Sequence, residues 1–294
     1  MNPNIMNFIA AEADFDEARA VIFGAPFDGT TSFRPGTRFG PGAIRAESDG
    51  IETYSPYQDK DLEDIAVFDS GDLLLPFGNT EAVLEEICAR TAEILEAGKS
   101  PVMLGGEHLV TLGAVRAMVQ KYPELHIIHF DAHTDLRDDY LGERLSHATV
   151  IRRCHDLLGD GRIHQFGIRS GERAEWDFAF AHTDFHPFNV KDVLDVVLAL
   201  GSDVPVYVTL DLDVLDPSLF CGTGTPEAGG IFFQDLEEAL LALEALNVVG
   251  FDMIMTDSME YCDLVLPAST QFETDDIIGD YHGWFVQICE KVIE

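Results

Sequence analysis

Short runs of β-branched and aromatic residues recur along the chain, most of them closed by small or acidic residues, with helical patterns in several of the intervals. The runs are AVIFGAP (20–26), DIAVFDSGD (64–72), PVMLGGEH (101–108), LHIIHFDAHTD (125–135), RIHQFGIRS (162–170), PVYVTLDLD (205–213) and NVVGFDMIM (247–255). Residues 79–99 read as a helix started by Asn79 or Thr80, and 110–121 and 232–246 carry helical periodicity. Strands that alternate with helices pair in parallel, because a parallel pair needs a long crossover and the crossover helix covers a sheet face. The expected fold is α/β, with a mainly parallel central sheet covered on both faces. No repeat, low-complexity tract or linker divides the 294 residues, so a single domain is expected.

Charge narrows the choice of partners. Eighteen Lys and Arg face 53 Asp and Glu, a formal charge of −35. Such a surface repels nucleic acid and anionic membrane and attracts cationic substrates and metal ions. Neither nucleic acid nor membrane is an expected partner, and no apolar run approaches the roughly 20 residues that span a bilayer. Five cysteines, Cys88, Cys154, Cys221, Cys262 and Cys289, are widely spaced and form no CxxC, which fits a reducing compartment. The first twenty residues lack a basic segment and turn acidic early, unlike a signal or transit peptide. A cytoplasmic location is expected.

The polar residues gather late in the strand runs, where an open α/β sheet places its ligand crevice. Asp131-Ala-His133-Thr-Asp135 follows HIIHF, and Asp211-Leu-Asp213 follows VYVTL. In extended backbone alternate residues share a face, so each set would converge on one point. His108 ends a third run, after a Gly105-Gly106 pair that permits close backbone approach. Four carboxylates and two imidazoles without a thiolate suit manganese or a similar ion. Four anions exceed what one divalent cation needs, so two ions bridged by carboxylate are expected. His126, His129, His155, His164, His182 and His186 have no comparable neighbours in sequence and are read as structural or surface residues.

GGEH (105–108), HFDAHTDLRDDYLGERLSHAT (129–149) and TLDLDVLDPSLFCGTGTPEAGGI (209–231) resemble the metal-binding signatures of the ureohydrolases, the family of arginase and agmatinase. APFDGTTSFRPGTRFGPGAIR (25–45) and LEDIAVFDSGDLLLPFGN (62–79) resemble its bacterial agmatinase branch. The resemblance spans about residues 15–253. It implies a three-layer αβα sandwich, two Mn²⁺ ions per subunit, and hydrolysis of a guanidino group to urea. By motif, His108 and Asp135 would hold one ion, His133 and Asp213 the other, and Asp131 and Asp211 would bridge them. Asp135 would also orient the nucleophile, and His147 in LSHAT matches the proton-shuttling histidine, a role its near-neutral ordinary pKa suits. Agmatine, cleaved to putrescine and urea in polyamine biosynthesis, is the expected substrate; arginine or another guanidino acid is the alternative. The carboxylates of residues 136–144 would favour a doubly cationic amine. A trimer or hexamer is implied by resemblance alone.

The resemblance breaks after Met253. Met255 stands where the family places a glutamate that grips the guanidinium, and methionine can neither accept those bonds nor balance the charge. Unless Glu227, Asp257 or Glu260 takes its place, a metal-binding pseudoenzyme is the alternative. Residues 254–294 resemble a segment of molybdopterin-dependent oxidoreductases, without implying that cofactor.

Overall fold

The computed structural model describes residues 6–254 and the backbone of two strands at 276–279 and 286–289. Met255 and most of the segment after it lie outside the described residues. The chain forms two compact units, Met1–Cys262 and Asp263–Glu294. Within the second, Asp276–Gly279 and Val286–Cys289 form an antiparallel pair with Asp276 opposite Cys289.

The first unit runs β1 (Ala20–Ala25), α1 (Gly40–Ser48), β2 (Tyr54–Ser55), β3 (Lys60–Asp61), β4 (Val67–Asp72), α2 (Thr80–Glu96), β5 (Ser100–Gly105) and α3 (Val110–Lys121). It continues β6 (His126–Phe130), α4 (Val150–Leu158), β7 (Ile163–Phe166), α5 (Arg173–His182), β8 (Asp184–His186), α6 (Val193–Leu200), β9 (Pro205–Asp211), α7 (Phe233–Ala242) and β10 (Asn247–Ile254). Eight strands form one sheet in the order β4-β1-β5-β10-β9-β6-β7-β8, each neighbouring pair parallel.

Alternation of side chains builds a core on each face. Val21, Phe23, Ile127 and Tyr207 join α2, α3 and α4 in one cluster. Their neighbours Ile128, Val206 and Val208 meet α6 and α7 in another, and Ile22 packs with Ile44 of α1 in a third. Burial on both faces explains why these strands read as near-continuous apolar runs. The expected mainly parallel αβα sandwich is the fold observed.

Every strand run read from sequence contains a strand of the sheet. Four helices and β8 were not legible. The α6 run VLDVVLAL is apolar on nearly every side, which blurs its helical period, and the structure buries Val193, Val196 and Val197 against β9 and α7.

His126, at the start of β6, hydrogen-bonds through Nδ1 to His164 Nε2 at 3.0 Å, and His164 Nδ1 meets Asp184 Oδ2 at 2.7 Å. Burial first, then the charges of His164 and Arg162, lower the His126 pKa from 6.5 to about 4. Between those values the unfolded chain takes up a proton that the folded chain refuses, so stability declines as pH falls through that window. The urea midpoint of wild type is therefore expected to drop more between pH 7 and pH 4.5 than that of His126→Asn. Equal drops would remove His126 as a cause.

Candidate active site

The expected site residues meet at the carboxyl ends of β5, β6 and β9, although the local geometry differs from strand alternation. β5 ends at Gly105, and His108 sits in the turn before α3. That turn approaches the loop after β1 so closely that a Cβ on Gly106 would lie 1.9 Å from the Phe27 carbonyl oxygen, which accepts the Glu107 N–H at 2.7 Å. The close approach read from Gly105-Gly106 is thus real.

β6 ends at Phe130, so Asp131, His133 and Asp135 lie on a loop and not on an extended strand. Asp135 has φ 51°, a left-handed conformation that ordinary side chains seldom adopt. Its carbonyl is held there by the N–H groups of Ile151 and Arg152, both at 3.1 Å, in the first turn of α4. Buried Glu175 fastens the same loop, accepting the Thr134 hydroxyl at 2.6 Å and the Leu136 N–H at 3.1 Å. β9 ends at Asp211, whose Oδ1 accepts the Asp213 N–H at 2.9 Å, and Asp213 sits on the tight 3₁₀ turn Leu212–Val214. Arg169 clamps this turn by donating to the carbonyls of Asp213 (2.7 Å), Val214 (3.1 Å) and Glu227 (2.8 Å).

Two imidazoles face the four carboxylates. His108 Nδ1 lies 2.9 Å from Asp131 Oδ2, 3.3 Å from Asp135 Oδ2 and 3.5 Å from Asp211 Oδ2. His133 Nδ1 lies 3.0 Å from Asp213 Oδ2 and 3.4 Å from Asp131 Oδ1. Asp131 thus turns one oxygen towards each ring. The buried His108 Nδ1 makes no hydrogen bond of acceptable geometry, while its Nε2 is fixed by the Thr209 hydroxyl at 3.0 Å. The Thr209 hydroxyl lies 3.2 Å from that of Thr111, which donates to buried Asp252 at 2.7 Å.

Charge is concentrated here without solvent. Burial, and then the charge of Asp131, push the Asp135 pKa up to about 7. Asp211 and Asp213 are also raised, by burial first and neighbouring carboxylates second. Burial opposes ionisation of Asp131, yet the surrounding His108, His129 and His133 rings hold it well below the ordinary range. An imidazole nitrogen without a hydrogen bond, set among crowded buried carboxylates, is the environment that divalent cations relieve. The donor set fits such ions.

His147 lines the same cavity, of about 360 Å³, with its Nε2 3.1 Å from Ser32 Oγ. Its pKa is not near neutral: burial first, and the nearby His133 and His108 rings, lower it to about 4. The carboxylates of residues 136–144 also differ from expectation. Asp138 pairs with Arg153 at 2.9 Å and Asp139 accepts the Gly142 N–H, so this stretch gives the cavity Arg137 and Tyr140. Glu172 and Glu227 supply carboxylates at the cavity wall instead. Glu227, one of three substitutes named for the family glutamate, accepts the Ser170 hydroxyl at 2.8 Å and lies 3.7 Å from His133 Nε2. Asp257 and Glu260 lie outside the described residues.

Several site residues escaped the sequence. His129 is fully buried with Nε2 2.9 Å from Asp131 Oδ2, so it belongs beside the cluster. Glu107 is buried and binds both the N–H and hydroxyl of Thr30. Thr30 in turn accepts the His147 N–H at 3.1 Å. The adjacency of Glu107 and His129 to the motif residues was the available signal.

A family model described as the arginase family matches residues 18–257. The chain belongs to the arginase family. Agmatinase of Bacillus anthracis is 45% identical over 276 residues, 92% of this chain and 95% of its own. N(1)-aminopropylagmatine ureohydrolase of Thermococcus kodakarensis is 38% identical over 248 residues, 81% of this chain and 83% of its own. The crystal structure of agmatine ureohydrolase of Thermoplasma volcanium has a TM-score of 0.80 at 32% identity and 88% coverage of each chain. This arginase-family member is a ureohydrolase enzyme, as the sequence led one to expect. The family fold goes with a binuclear metal centre, and His and Asp groups able to hold metal are present in two sets that share Asp131. The likeness of residues 254–294 to molybdopterin enzymes gains no support from these comparisons.

Proposed function

We propose that the chain hydrolyses agmatine to putrescine and urea with two Mn²⁺ ions. The observation that carries this reading is the convergence of His108, His133 and four buried carboxylates on one wall of a cavity that also holds His147. His108 and Asp135 would hold one ion and His133 and Asp213 the other, with Asp131 and Asp211 between them. When bound, such ions lower the pKa of water so that a hydroxide nucleophile is available near neutral pH.

The remaining chemistry falls to the chain's own groups. Asp135 would accept a hydrogen bond from the nucleophile and orient it towards the guanidinium carbon. A neutral His147 offers Nε2 to take up a proton and return it to the departing amine, with the Ser32 hydroxyl beside it. Glu227 gives the cavity a carboxylate suited to a cationic substrate, while Glu172 at the wall pairs with Arg137 at 3.0 Å. The names of the relatives support agmatine or an aminopropyl-extended agmatine over a guanidino acid. A cytoplasmic location and an oligomeric state are part of the proposal and follow from composition and family likeness respectively; no helix among the described residues is long and apolar enough to cross a membrane.

Urea release measured on agmatine, N(1)-aminopropylagmatine and arginine with added Mn²⁺ tests the reading. Turnover of agmatine with negligible release from arginine is expected. Met255 favours a second reading, a metal-holding chain with impaired turnover. Bound manganese with no urea from any of the three, and a gain of activity in Met255→Glu, would establish that reading instead.

A further inference from the structure

We propose that His155, Asp160 and His182 form a second divalent-metal site, a zinc site on the outer surface of the αβα unit. His155 is on the last turn of α4, His182 ends α5, and Asp160 lies in the loop that leads from α4 to β7. One oxygen, Asp160 Oδ1, sits 2.8 Å from His155 Nε2 and 3.0 Å from His182 Nδ1. The three ligand-capable atoms lie within 4.8 Å of one another. Ligands about 2.0 Å from a tetrahedral zinc are about 3.3 Å apart. Lengthening the two Asp160 contacts to that spacing takes only a few tenths of an ångström each.

The backbone holds these three residues together independently of their side chains. Gly159 donates its N–H to the His155 carbonyl at 2.8 Å, and Gly161 donates to the His182 carbonyl at 2.9 Å. Both glycines have positive φ, 82° and 74°, so the turn presenting Asp160 needs residues without a Cβ on either side. The rings are also fixed. Phe178 packs edge-on to His155 at 4.9 Å and lies 4.3 Å from the His182 ring, with the Arg152 guanidinium 3.7 Å from the Phe178 centroid. Ligands held in place before the ion arrives lose little freedom on binding.

Two imidazoles and one carboxylate without thiolate suit zinc, and the exposure of Asp160, 67% of its side chain, leaves room for water as a fourth ligand. Each neutral ring can move its N–H to the other ring nitrogen, so binding needs no net loss of protons from the imidazoles. The strongly acidic surface raises the local cation concentration. The ion would tie the carboxyl ends of α4 and α5 together, and α4 begins directly after the His147–Thr149 turn.

The site is tested on manganese-loaded, desalted protein titrated with Zn²⁺ by calorimetry, with manganese content measured in the same samples. Wild type is expected to take up one zinc per chain with no loss of manganese, and to unfold at a higher temperature with zinc than without. His182→Gln and Asp160→Asn, each checked for unchanged circular dichroism, are expected to weaken this uptake at least about tenfold. Zinc uptake matched by manganese release, or uptake of equal affinity in wild type and both variants, would overturn the proposal. The comparison reads zinc at residues outside the catalytic cavity, so its result stands whether or not manganese hydrolysis is upheld.

Discussion

Asparagine at position 211 is expected to lower urea release from agmatine by about a thousandfold or more, roughly 4 kcal/mol of transition-state stabilisation. Asp211 is 4% exposed and lies 3.5 Å through Oδ2 from His108 Nδ1. Asparagine keeps an oxygen for the Asp213 N–H, so the 3₁₀ turn survives. What disappears is one anion among four, and with it the charge that would bridge two cations. Metal content measured after dialysis is expected to fall with activity.

The metal-free protein should respond in the opposite sense. Burial, and then the charges of Asp213 and Asp131, raise the Asp211 pKa well above 3.8. The unfolded chain therefore ionises this group more readily than the folded chain, and above pH 3.8 the carboxylate opposes folding. Chelator-treated Asp211→Asn is expected to be at least as stable as wild type at pH 7, with the difference vanishing below pH 3.8. A variant that is inactive and also clearly less stable without metal would point to a structural role and sink this account.

Arg45→Ala is expected to reduce unfolding free energy by about 3–5 kcal/mol, the range for breaking a buried ion pair from one side. Arg45 is 3% exposed and bonds Asp69 through Nε at 2.7 Å and Nη2 at 2.9 Å. Its Nη1 reaches Asp72 at 2.5 Å, joining α1 to β4. Asp69 also accepts the N–H groups of Phe8 and Gly71, both at 2.9 Å, so loss of Arg45 would leave its buried carboxylate only partly paired. Arg45→Met combined with Asp69→Leu is expected to recover part of the loss, because a matched apolar pair leaves no buried charge. A fall below about 1 kcal/mol in Arg45→Ala, read from urea unfolding, would show that water reaches the pair.

Much of the site was legible because its elements are local. Carboxylates and imidazoles after apolar runs name their own strands, and a parallel sheet gathers strand ends at one edge. His108, Asp131, His133, Asp135, Asp211 and Asp213 come together for that reason. The geometry within each motif was not legible. Alternation predicted extended arms, whereas Asp135 is left-handed under the start of α4 and Asp213 rides on a 3₁₀ turn. Those conformations are imposed by Ile151, Arg152, Glu175 and Arg169, which lie elsewhere in the chain.

The ligand types at the site, the apolar runs that build the sheet, and the family to which the chain belongs were determined by sequence alone. Side-chain chemistry and period-two patterning are properties of neighbouring residues, and they survive reading in one dimension. Only the tertiary structure decided that His108 is fixed by Thr209, that Thr111 links Thr209 to Asp252, and that burial lowers His147 to about 4. It alone moved the cavity's carboxylates from the 136–144 loop to Glu172 and Glu227. Contacts between residues a hundred positions apart, and the loss of water around them, arise when the strands assemble into one sheet, and no local pattern encodes them.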